Sequence, residues 1–111
     1  MEKEIRKTID EALRTNLWLN GTYDFEEGDL VALDKADEYY RDWTEVKTIE
    51  ELWRMIRNYT GVFVFKRLIF FSDHHYGIFV YRVGNGESYV EHLNNDISLD
   101  RLAEVVKRLD G

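Results

Sequence analysis

The chain has 111 residues, 44% of them hydrophobic and 14% aromatic, enough to bury one core unaided and too much for a disordered acidic chain. It contains no cysteine, which excludes a disulfide framework, a thiolate zinc site and a cysteine nucleophile. Its net charge of −7 is concentrated: Asp24 to Glu51 holds eleven acidic and three basic side chains, a local −8, while the remainder carries eleven acids and twelve bases.

From Lys3 to Trp18, Ile5, Ile9, Ala12, Leu13 and Leu17 recur at three- and four-residue steps, an amphipathic helix that Asn20-Gly21 ends. The opening MEKEIRKTIDEAL mixes charge with apolar residues where a signal peptide needs an unbroken apolar stretch. No run approaches the roughly 18 apolar residues of a membrane span, so a cytoplasmic location is expected. After the polar link TYDFEEG, Asp29 can cap a second helix reaching about Trp43. That helix would set Ala32, Leu33, Ala36, Tyr39, Tyr40 and Trp43 on one side and mostly turn Asp34, Asp37, Glu38 and Asp42 the other way. Leu30 to Leu33 also reads as a short strand before a shorter helix, because brief apolar runs do not declare their period. The full helix is the preferred reading.

Thr48 and Glu51 form a capping box, and Ile49, Leu52, Trp53, Ile56 and Tyr59 continue at helical spacing to a stop at Gly61. Beyond it, VFVFKRLIFF, YGIFVYRV and SYVEHL are rich in β-branched and aromatic residues and read as three strands separated by SDHH and GNGE. Asn85-Gly86 suits a tight hairpin, since both residues tolerate positive φ. Ser98 caps a last helix with Leu99, Leu102, Ala103, Val106 and Leu109 as its stripe, and Ile97 can staple to Leu102. The expected fold is α+β, in the order α-α-α-β-β-β-α. A three-stranded antiparallel meander packs against the helices in a single domain over residues 1–111, neither half being large enough to bury its stripe alone.

Three constellations could carry chemistry. Asp73-His74-His75 has metal-ligand residue types, but three consecutive positions rarely converge on one ion. Simple hairpin pairing sets His92 beside Phe79 and Phe70, some four residues or roughly 13 Å from the tip. Polar loop residues are therefore the simpler account, and neither metal nor cofactor is expected. The same register sets Arg67 opposite Arg82, with Tyr89 and Glu91 nearby, on a face otherwise formed by Phe63, Phe65, Ile69, Val80 and Phe71. Facing guanidinium groups suit a phosphate or carboxylate ligand, unless Glu91 or a helix acid neutralises them. A one-residue slip would separate the arginines.

The third constellation is the acidic run. Glu38 and Asp42, one helical turn apart at about 6 Å, form with Asp34, Asp37 and Glu45 a row of fixed charges similar in sign and spacing to a phosphate backbone. Its plain reading is a solvated helix face. Tyr39, Tyr40 and Trp43 are first a core stripe at this spacing, and any that stay exposed become an aromatic anchor within an acidic rim.

No nucleophile elbow, phosphate-binding glycine loop or H-E-x-x-H helix is present, and acids in a solvated run lack the shifted pKa that general acid work needs. The expected function is therefore non-catalytic: an acidic protein presenting Asp34, Asp37, Glu38, Tyr39, Asp42, Trp43 and Glu45 to a basic partner. One form of it is a nucleic-acid mimic that inhibits a DNA- or RNA-binding protein. The charge itself disfavours direct binding of nucleic acid or anionic membranes. Two alternatives are a binder of small anions, or an enzyme, using Arg67, Arg82 and Tyr89, and a structural subunit of a homo-oligomer.

Overall fold

The computed structural model describes residues 1–15, 42–74 and 77–110. In chain order these form α1 (Glu2–Thr15), β1 (Trp43–Glu45), α2 (Ile49–Asn58), β2 (Gly61–Phe65), β3 (Leu68–Asp73), β4 (Gly77–Arg82), β5 (Glu91–Leu93) and α3 (Leu99–Asp110). The described residues form an α+β fold built on one five-stranded mixed sheet in the order β1-β2-β3-β4-β5. The three-stranded meander expected from the sequence is corrected: β2 to β5 run antiparallel, and β1 adds a parallel strand beside β2. Adjacent parallel strands need a crossover, and α2 supplies it.

Both faces of the sheet are covered. On one, Leu52 and Ile56 of α2 and Leu102, Val105, Val106 and Leu109 of α3 bury against Phe63, Phe65, Leu68, Phe70, Ile78, Val80 and Leu93. On the other, Ile5, Ile9 and Ala12 of α1 pack on Val62, Val64, Ile69, Phe71, Phe79 and Tyr81. Each large aliphatic side chain buried this way contributes about 1.5–3 kcal/mol. Strands buried on both sides read as continuous apolar runs without alternation, so VFVFKRLIFF shows no period that betrays its break. It is two strands. Lys66 and Arg67 turn the chain, Phe65 pairs with Leu68, and Lys66 takes a positive φ of 55° without being glycine.

Three further expectations change. The hairpin before β5 turns at Val83-Gly84 rather than Asn85-Gly86: Asn85 bridges Arg82, its N–H donates to the Arg82 carbonyl at 2.9 Å, and Gly84 has the positive φ, 94°. In α3, Val105 is buried and Ala103 exposed. The preferred second helix lies outside the described residues from Asp29 to Arg41, and Trp43, its expected end, belongs to β1 instead. Pairing with Val62, a tertiary contact, decides that conformation over the helical spacing.

The helix ends are secured locally. Thr48 Oγ1 accepts from the Glu51 N–H at 3.1 Å, while the Glu51 carboxylate reaches past the cap to the Lys47 N–H at 3.3 Å. The helix stops at Asn58, so Tyr59 leaves the expected stripe and stands exposed. Ser98 Oγ accepts from the Arg101 N–H at 3.1 Å. Among the described residues, no helix is long and apolar enough to cross a membrane.

Candidate functional site

The acidic segment enters the described structure at Asp42. Among the described residues, pairing with β2 makes Trp43–Glu45 the outermost strand in the sheet order. Alternation along β1 turns Trp43 towards α1, where it packs half-buried against the second core cluster. Asp42 and Glu45 on either side of it are exposed, the Asp42 side chain to 96%.

Two α1 residues complete the arrangement. Glu2 and Arg6, one helical turn apart, lie beside the strand, and the Arg6 guanidinium carbon stands 4.5 Å above the centroid of the Trp43 ring. An Arg6 nitrogen is 3.8 Å from Asp42 Oδ1, a charge contact longer than a hydrogen bond. Glu2, Arg6, Asp42, Trp43 and Glu45 line an open depression of about 500 Å³. The sequence reading included Asp42, Trp43 and Glu45 but missed Glu2 and Arg6. Their only signal is an acid and a base four apart on the polar side of α1, which does not reveal which sheet edge that side meets.

Asp34, Asp37, Glu38, Tyr39 and Tyr40 lie outside the described residues. Of the aromatic residues expected as a core stripe or an anchor, Trp43 is described: its indole is half-buried and Arg6 lies over its face.

The Arg67, Arg82 and Tyr89 face is corrected. Strands β3 and β4 pair one residue away from the expected register, Asp73 opposite Gly77, so Arg82 pairs with Leu68, while Arg67 leaves the strand for the Lys66-Arg67 turn. Its guanidinium donates to the Leu109 carbonyl at 3.0 Å, satisfying an orphan group at the C-terminus of α3. Arg67 instead faces Glu4 of α1 at 3.7 Å. Glu91 pairs with Arg108 of α3. Tyr89 stands on the α1 face, edge-on to Phe79 with ring centroids 5.1 Å apart. The two arginines serve opposite layers and make no common clamp.

At the other hairpin, the Asn95 side-chain amide donates to the carbonyls of Asp73 and His74, each at 3.1 Å, and His74 is exposed. His75 lies outside the described residues. His92 pairs with Phe79 and stacks on it at 4.3 Å, and the second neighbour in that row is Phe71 rather than Phe70. Its ring also reaches back to Gly77, where an added Cβ would sit 2.8 Å from Nε2. No cluster of three or more metal-ligating side chains occurs among the described residues.

Tyr81 is the one described group with a clear pKa shift: burial, then the neighbouring Tyr89, pushes its phenol above the usual tyrosine range. Its edge-on contact with Phe71, at 5.0 Å, places it in the core, where it offers no chemistry at neutral pH.

No family model, curated protein or solved structure matches this chain.

Proposed function

We propose that the protein is a non-catalytic interaction protein of the cytoplasm whose acidic segment engages a cationic surface on a protein partner. The observation that supports this reading most is the exposure of Asp42 and Glu45, flanked by Glu2, on the strand that is outermost among the described residues, within a segment carrying −8. Fixed carboxylates on a rigid strand cost little ordering on association and steer a basic partner from a distance. A basic nucleic-acid-binding groove is the cationic surface that such a row resembles in reverse, so the function proposed is inhibition of a DNA- or RNA-binding protein by occupancy of its nucleic-acid site.

The test uses a partner recovered from host extract on the immobilised chain. Under this proposal heparin or double-stranded DNA displaces that partner, and affinity falls steeply as salt is raised through about 0.1–0.5 M, where the Debye length shrinks from ~10 Å. Asp42→Lys with Glu45→Lys abolishes retention while circular dichroism stays unchanged. Retention that ignores polyanions, salt and both reversals overturns the proposal.

A further inference from the structure

The depression beside β1 already holds one cation, and its identity is informative. Arg6 lies over the Trp43 ring at 4.5 Å with Asp42 at 3.8 Å, so a guanidinium group demonstrably fits between the indole and the carboxylates. We propose that this depression is a subsite for an arginine side chain of the partner, which takes the Trp43 face in place of Arg6. The inference rests on the acidic-edge reading above and adds to it the kind of base that is recognised.

Four observations carry it. Trp43 supplies the aromatic face that attracts cations most strongly, and it is only half-buried. Glu2, Asp42 and Glu45 surround the same opening, giving the in-plane donors of a guanidinium several acceptors. A planar, weakly hydrated guanidinium stacks on a ring and pairs at its edge at once, whereas an ammonium is a strongly hydrated point charge, so this combination favours arginine over lysine. Finally, Arg6 has somewhere to go. It also borders an adjoining depression of about 560 Å³, where Lys7 pairs with Glu11 at 4.0 Å and Asp10 lies one helical turn from Arg6 on α1. Arg6 thus offsets one of the three carboxylate charges until a competing guanidinium arrives.

The test compares hexa-arginine and hexa-lysine peptides, equal in charge, against the full chain at about 150 mM salt, where long-range attraction is screened. The Trp43 indole N–H, assigned with Trp43→Phe, is followed by NMR. Hexa-arginine is expected to bind about three- to tenfold more tightly and to shift the Trp43 indole signal. Arg6→Gln removes the resident competitor and raises that ratio. Trp43→Leu brings it to about one while hexa-lysine binding persists. Equal affinities with an unmoved indole signal overturn the subsite, as does an arginine preference that neither variant alters. The acidic-edge reading survives that result when Asp42→Asn with Glu45→Gln weakens both peptides, and both proposals fall when neither peptide binds. Should Trp43→Leu fail to fold, Arg6→Gln at the surface decides alone, an unchanged ratio overturning the subsite.

Discussion

Replacing Gly86 by alanine tests the seam that seats α1, and with it Glu2 and Arg6, on the sheet. At an unhindered loop position with a compatible backbone, Gly→Ala stabilises by about 0.4–1 kcal/mol, because alanine restricts the unfolded chain. Here the new Cβ would lie 2.6 Å from both the Thr8 carbonyl oxygen and Glu11 Cβ. Both atoms belong to the rigid part of the helix, so α1 or the loop must move. The movement strains a second contact, since Thr8 Oγ1 accepts from the Gly84 N–H at 2.8 Å while donating to the Glu4 carbonyl at 2.8 Å. Overpacking of this kind costs about 1–3 kcal/mol, which exceeds the entropic gain, so a net loss of roughly 1–2 kcal/mol is expected. In a domain of this size that lowers the melting temperature by about 5–10 °C. Urea unfolding followed by circular dichroism measures it, with an unchanged m-value showing that only stability moved. The sign decides: a midpoint equal to or above that of the parent protein refutes the packing of the loop against α1.

Two further substitutions probe the layers around the sheet. Ser72 is buried and its hydroxyl donates to the Ile56 carbonyl at 2.9 Å, near the end of α2, so Ser72→Ala should lower stability by about 1–2 kcal/mol, and an unchanged urea midpoint would contradict that capping role. Tyr81 keeps its proton in the folded protein beyond the ordinary tyrosine range, whereas the unfolded chain ionises near pH 10. Its contribution is therefore complete below about pH 10 and is lost as pH rises further, at up to about 1.4 kcal/mol per pH unit. Tyr81→Phe should flatten this alkaline loss, and identical urea midpoints against pH for the two proteins above pH ~10 would count against the burial of that phenol.

What the sequence revealed depended on whether the deciding contact was local. The first helix, Thr48 with its helix and Ser98 with the last helix were legible because periodicity and caps act within a few residues. The Lys66-Arg67 turn was not, since a lysine in the left-handed region carries no glycine or asparagine signal and both flanking strands are buried on both faces. Nor was β1, a three-residue strand defined by parallel pairing with a strand on the far side of α2. The Arg67 and Arg82 pairing failed because the unseen turn takes Arg67 out of the strand and because β3 and β4 pair one residue away from the simple hairpin register. At the candidate site the sequence offered Asp42, Trp43 and Glu45 from a contiguous stretch. Arg6, the residue that characterises the depression chemically, is brought there only by the packing of α1.

Where a simple cation lands on the folded protein tests the central claim most directly. Hexa-lysine titrated into the isotope-labelled chain and mapped on backbone amides should shift Glu2, Asp42, Trp43 and Glu45 most, with the effect gone at about 0.5 M salt. Largest shifts on the exposed face of α3 or at the His74 hairpin, or shifts that persist in high salt, would contradict recognition through the acidic edge.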